Sequence, residues 1–173
     1  MNKNNLVLIG FMGSGKTSVG RFFAARHKMT QIDTDQYIEE WQNKRIKDIF
    51  AEEGETAFRD LETQALRRLK EAEEGIVLSV GGGLPMKEEN RPLLKDFGTV
   101  VYLKAGVDTL VERLSRDTSR PLLQGGDLRD KITTLMAARE ATYMEVADVV
   151  IETDHKSFGR IEKEILQAIK ERA

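Results

Sequence analysis

The segment GFMGSGKT at residues 10–17 places reactive residue types at a spacing that lets them act together. Gly10, Gly15, Lys16 and Thr17 fit the pattern G-x-x-x-x-G-K-[ST], and Gly13 makes the loop richer still. Glycine-rich backbone can turn successive N–H groups inward as a nest for anionic oxygens. A helix opening at the same point adds its partial positive charge. Lys16 is long enough to reach the β- and γ-phosphates of a nucleotide, and the Thr17 hydroxyl suits Mg²⁺, a hard cation that prefers oxygen. Gly13, Ser14, Gly15, Lys16, Thr17 and Ser18 are therefore the expected nucleotide contacts. Four fixed positions arise by chance in roughly one chain in a hundred of this length, so the flanks matter. An apolar run precedes the loop and helical spacing follows it. A glycine-rich turn with no ligand fits that context less well.

Other residues invite a chemical reading beside a plainer one. Asp33 and Asp35 stand two apart. A carboxylate facing a γ-phosphate can accept a hydroxyl proton as that oxygen attacks. Phosphoryl transfer has a loose transition state, so orienting the hydroxyl counts for more than basicity. The plainer role is helix capping, and one of the pair can do both. Arginine can grip a planar carboxylate with two parallel hydrogen bonds, as lysine cannot, although a single arginine is usually a solvated helix face. Glu62 follows Arg59 by three residues on one helical face and is placed to orient it; Tyr143 lies one turn beyond Arg139. Gly81, Gly82 and Gly83 in succession destabilise any regular element. They suit close approach of a ligand to backbone N–H groups, or else a tight turn before Pro85. Phe50 and Phe58 read as core or as an apolar wall of a site.

The elements that must position these residues follow from the hydrophobic pattern. Short apolar runs at residues 6–9 and 76–80 read as strands buried on both faces, 99–103 and 149–151 as further strands, and 29–32 as a weaker strand ending at Asp33. Helical spacing covers 17–26, 36–73 with a break near Gly54, 87–95, 109–116, 128–146 and 158–172, with Gly75 ending the second of these. Residues 117–127, with Pro121, Gly125 and Gly126, read as a loop. Alternating strands and helices predict an α/β parallel sheet covered on both faces in a single domain, 1–173. Ligands bind such sheets at the carboxyl ends of the strands. The segments 10–17, 33–35 and 81–83 each follow a strand and so converge on one edge.

The chain has 173 residues and a formal net charge of -2, which gives no electrostatic reason to expect nucleic-acid binding. It has no cysteine, which excludes disulfides, thiolate metal sites and cysteine nucleophiles. No window approaches the ~18 apolar residues of a membrane span, and the first apolar run is too short for a signal peptide. A cytoplasmic location is expected. His27 and His155 stand apart from acidic clusters and read as surface residues.

In register, GFMGSGKTSVGR at 10–21, DTD at 33–35, FRDLE at 58–62, GGG at 81–83, RPLL at 120–123 and R-x-x-x-Y at 139–143 closely resemble the shikimate kinase family over nearly the whole chain. The resemblance implies a P-loop NTPase fold of the nucleoside monophosphate kinase kind, with strand order 2-3-1-4-5. It implies ATP as co-substrate, one Mg²⁺ ion held by Thr17 and Asp33, and shikimate as acceptor, phosphorylated on its 3-hydroxyl in a monomeric cytoplasmic enzyme of aromatic amino-acid synthesis. By position it assigns Lys16, Asp35 and Arg120 to catalysis. Asp35, Phe58, Arg59, Gly81, Gly82, Gly83 and Arg139 contact shikimate, and Arg113 stacks on adenine. Substrate-binding helices span about 34–62 and a mobile lid about 115–127. The turn at 153–156 lacks a proline that some relatives carry. Two alternatives stay open: a kinase of this fold for another hydroxylated acid such as gluconate, and a non-catalytic sensor of ATP or a shikimate-like ligand.

Overall fold

The strand Leu6–Ile9 (β1) is buried along its whole length, with no polar residue in it. Only a strand covered on both faces needs such a sequence. In a computed structural model that describes residues 4–71 and 74–173, β1 is the middle strand of a five-stranded sheet. It pairs in parallel with Ile76–Ser79 (β3) on one side and Thr99–Lys104 (β4) on the other. Thr30–Asp33 (β2) and Val149–Glu152 (β5) form the edges, giving the order β2-β3-β1-β4-β5. The fold class, topology and strand order agree with the sequence reading.

Alternation along the strands sorts the core into two faces. Leu6, Leu8, Val77, Val101 and Leu103 pack with Val19 and Phe23 of Lys16–His27 (α1) and Ile161 and Ile165 of Phe158–Arg172 (α7). Val7, Ile9, Leu78, Val100 and Tyr102 face the other way, toward Ile46–Leu69 (α3), Asn90–Phe97 (α4), Val107–Leu114 (α5) and Leu128–Val146 (α6). Thr34–Gln42 (α2) packs on α3 through Ile38, Ile49, Phe58 and Ala65.

The break expected near Gly54 lies inside α3, where Gly54 has φ 86° and ψ 170°. Nothing lies within 4 Å of the position of a Cβ there. The positive φ, not crowding, is therefore what requires glycine. One expectation needs correction. The helix read as 36–73 and stopped by Gly75 ends at Leu69, and residues 72 and 73 lie outside the described residues. Gly75 instead opens the sheet, its carbonyl accepting from Thr30 N at 2.8 Å. His27 is exposed, as read, and its Nε2 lies 2.7 Å from the single carboxylate of Glu162, an approach of α7 to α1 across 135 residues that no local pattern records.

Asn5 ties the bottom of the sheet. It is buried, its Nδ2 donates to Phe97 O at 3.0 Å and its Oδ1 accepts from Ile76 N at 2.9 Å. Asn5→Ala strands a buried N–H and a buried C=O at once. Urea unfolding of this variant is expected to show a loss of about 2 kcal/mol. Nucleotide affinity, governed at the opposite edge, should be unchanged.

Candidate functional site

The loop from Gly10 to Gly15 leaves the carboxyl end of β1 and delivers the chain into α1. Gly15 takes the N-cap position with φ 93° and ψ 15°. It brings no capping side chain, and the first turn of α1 contains no acidic residue. The N–H groups and partial positive charge at this helix start are thus left for an anion. The loop cannot thicken: a Cβ at Gly10 would sit 2.6 Å from Leu103 O, and one at Gly13 3.0 Å from Leu114 Cγ. Lys16 is buried, and its Nζ donates to Gly10 O and Phe11 O, both at 2.9 Å. Burial lowers its pKa to about 8, opposed by Asp35 and reinforced by Arg120. Thr17 Oγ1 donates to Asp33 Oδ2 at 2.6 Å, so strand β2 delivers a carboxylate to the loop.

Asp33 is also the N-cap of α2, its Oδ1 accepting from Asp35 N at 2.9 Å and Gln36 N at 3.2 Å. Asp33 therefore fills the capping role, with its second carboxylate oxygen turned to Thr17. Asp35 is freed from capping. As a residue it is only partly buried, but its Oδ1 is closed off from solvent and makes no hydrogen bond. Burial raises its pKa to about 6, with Asp33 adding to the shift and Arg120 and Lys16 opposing it.

Around Asp35 lies a cleft of about 1510 Å³. Every residue that the sequence assigned to a nucleotide, acceptor or metal lines it: Gly13–Ser18, Asp33 and Asp35 on one side, then Phe58, Arg59, Gly81–Gly83, Arg113, Arg120 and Arg139. That volume exceeds what one small ligand fills, and leaves space for two. Six buried side-chain polar atoms among the described residues lack a hydrogen bond, and four of them belong to residues lining this cleft: Ser14 Oγ, Asp35 Oδ1, Glu62 Oε1 and Arg139 Nη1. Natural folds rarely leave such atoms unsatisfied without a functional reason.

Arg59 and Glu62 behave as expected, with Nη1 donating to Oε2 at 2.8 Å. Glu62 is fully buried, which pushes its pKa up to about 7 against the opposing pull of Arg59. Arg139 is buried and lies over the Phe11 ring at 5.8 Å. Phe58 is packed among Ile38, Ile49 and Ala65, so it offers the cleft little beyond an edge, and Phe50 meets it ring to ring at 5.0 Å. Arg113 Nη1 donates to Gly13 O at 3.0 Å; Arg120 Nε pairs with Asp117 at 3.1 Å.

The three glycines depart from the sequence reading at one point, Gly81. Gly81 N–H is not free for a ligand, since it donates to Thr34 Oγ1 at 3.0 Å. What the glycines provide is room. A Cβ at Gly81 would lie 2.8 Å from both Asp35 Oδ1 and Glu62 Oε1, and one at Gly83 only 2.5 Å from both Nη atoms of Arg59. Tyr143 then locks the turn to α6 by donating its hydroxyl to Gly82 O. Sequence reasoning placed Tyr143 next to Arg139 but missed this bond, and it included Thr34 only within the motif at 33–35, without its bond to Gly81. Tyr143 and Gly82 are 61 residues apart, beyond any local spacing rule.

Comparison with known proteins gives one consistent result. A family model described as shikimate kinase matches residues 12–170. A shikimate kinase of Bacillus mycoides strain KBAB4 is 43% identical over 167 residues, covering 96% of this chain and 99% of the relative. One from Bacillus cereus strain AH187 is 44% identical with the same coverage. Among solved structures, shikimate kinase from Acinetobacter baumannii in complex with shikimate superposes with a TM-score of 0.93 at 38% identity, over 99% of this chain and 95% of that one.

The raised pKa of Asp35 sets a stability prediction. The fold holds this proton up to about pH 6, against 3.8 for the free side chain, so the native state loses stability as pH rises through that window. Asp35→Asn removes the buried charge. Thermal unfolding at pH 8 is expected to show a gain on the order of 2 kcal/mol, shrinking to roughly half at pH 5.

Proposed function

The chain belongs to the shikimate kinase family, and from that premise we propose that it transfers the γ-phosphoryl group of ATP to the 3-hydroxyl of shikimate, giving shikimate 3-phosphate and ADP on the route to aromatic amino acids. The observation that carries this reading is the set of unsatisfied atoms in the cleft. A buried guanidinium N–H of Arg139 awaits an anion, while carboxylate oxygens of Asp35 and Glu62 await donors. A hydroxylated acid supplies both, and the phosphate loop lies beside them.

In this reading Arg139 and Arg59 clamp the carboxylate of shikimate, with Glu62 holding Arg59 in place. Gly81, Gly82 and Gly83 keep the floor low enough for the ring to approach, and Phe58 closes the side of α3. The 3-hydroxyl points at Asp35. Its oxygen attacks the γ-phosphorus as the bond to the bridging oxygen of ADP breaks, and its proton passes to Asp35. Lys16 and the N–H groups at Gly13–Ser18 hold the phosphates. Arg120, on a lid formed by residues 115–127, leaves Asp117 to meet the charge that develops in transfer, and closure excludes water that would compete with the hydroxyl. Arg113 packs on the adenine.

Thr17 and Asp33 fit Mg²⁺: a hydroxyl and a carboxylate oxygen lie 2.6 Å apart beside the phosphate loop. Among the described residues no group of three or more His, Cys, Asp or Glu gathers around a common point. Thr17 and Asp33 would hold such an ion, with phosphates and water completing its shell, as is usual for Mg²⁺. When bound it neutralises phosphate charge. The enzyme acts as a monomer in the cytoplasm, with small molecules rather than nucleic acid or membrane as partners. No described helix is long and apolar enough to cross a membrane.

The test is ADP release from ATP and Mg²⁺ with shikimate, quinate and gluconate offered in turn. Turnover with shikimate is expected; its absence overturns the reading, and faster turnover with gluconate reassigns the acceptor. Asp35→Asn should abolish transfer while ADP affinity stays within about twofold, because the side chain faces the acceptor. The pH profile of kcat/KM should be bell-shaped. Asp35 must be ionised to accept the proton, so activity falls below about 6; Lys16 must be charged to hold phosphate, so activity falls above about 8.

A further inference from the structure

Tyr143 is fully buried, so its hydroxyl needs a partner inside the protein. Packing alone would be served by phenylalanine; the hydroxyl has a specific use, the bond to Gly82 O. Burial pushes its pKa up to about 12, with Arg139 opposing the shift. The group is therefore a neutral donor at any working pH, and it lies near enough to Arg139 to feel its charge. Tyr143 does not itself line the cleft.

The ring is held from behind. Tyr102 of β4 meets it at 5.0 Å. The Tyr102 hydroxyl donates to Glu140 Oε2 at 2.7 Å, and Glu140 Oε1 pairs with Lys104 Nζ at 3.1 Å. Glu140 follows Arg139 directly in α6. The helix is thus tied to β4 at the turn from which Arg139 and Tyr143 project.

Gly82, at the other end of the bond, is where the two halves of the cleft meet. A Cβ there would lie 3.2 Å from Met12 N, 3.3 Å from Gly10 O and 3.3 Å from Arg139 Nη1. The phosphate-loop side of this contact is fixed, because Gly10 is wedged against Leu103 O and its own carbonyl accepts from Lys16. The Arg139 side is not fixed in this way, because Nη1 has no hydrogen bond. What bounds that guanidinium is the Phe11 ring at 5.8 Å and the turn that Tyr143 pins.

We propose that Tyr143 is a positioning residue of the acceptor site: by holding the Gly82 carbonyl it keeps the turn beside the Arg139 guanidinium, and so sets where the carboxylate of the acceptor seats. This rests on the kinase reading above. Small misplacements of a clamp are costly, since the acid must bind and be aligned by the same contact.

Steady-state kinetics of the full chain with ATP, Mg²⁺ and shikimate test this. Tyr143→Phe keeps the ring and removes only the donor. The KM for shikimate is expected to rise about tenfold while the KM for ATP stays within about twofold. Tyr102→Phe removes a buried hydroxyl from the same aromatic pair without touching Gly82; it is expected to lower the melting temperature and leave both KM values unchanged. In an Arg139→Lys background, Tyr143→Phe should lower kcat/KM for shikimate by less than about twofold, because the two side chains act as a unit. A wild-type KM for shikimate in Tyr143→Phe overturns the proposal and leaves the kinase reading intact. Equal rises in both KM values, or the same rise in Tyr102→Phe, also overturn it, since the effect is then on the fold. So does full additivity with Arg139→Lys. A wild-type protein with no turnover of shikimate overturns both readings.

Discussion

Asp35 Oδ1, Glu62 Oε1 and Arg139 Nη1 sit out of reach of water with no hydrogen bond. Each such atom costs about 1–3 kcal/mol, and more when charged. Packing usually removes this cost by moving a side chain or admitting a donor. Here neither happens, because the backbone at residues 81–83 carries no side chain that could intrude and is itself pinned. Thr34 holds Gly81 N–H and Tyr143 holds Gly82 O, so the turn cannot rise to meet the charges or fall away from them. The cleft is a place where unfavourable electrostatics are kept in position by favourable ones next to it.

That arrangement needs surplus stability elsewhere. The sheet provides it through strands buried on both faces, and Asn5 satisfies buried backbone at its lower edge. Distance matters: the Asn5 bonds and the strained cleft lie at opposite ends of the same strands. A change at one end can therefore alter stability while sparing the chemistry, and the reverse holds at the other.

Much of this was legible in the sequence. Unbroken apolar runs identified the buried strands, because a strand with helices on both faces has no solvent side to encode. Glycine at 54 marked its own break, since a positive φ is a local demand. The spacing of Gly10, Gly15, Lys16 and Thr17 and the pair Asp33 and Asp35 pointed to a single sheet edge. What the sequence hid were relations across long stretches of chain. The reason for three glycines lies in Asp35, Glu62 and Arg59, which their absent side chains leave room for. The bond of Tyr143 to Gly82 and the approach of His27 to Glu162 join elements that no periodicity links.

Lys16 shows what the phosphate loop does besides gripping. Its ammonium has two carbonyl partners inside the loop, Gly10 O and Phe11 O. Such a cation can exchange one oxygen for another and need never pass through a dehydrated, unpartnered state. An anion that draws the ammonium away from these carbonyls exchanges one set of partners for another, and the buried charge is never left bare.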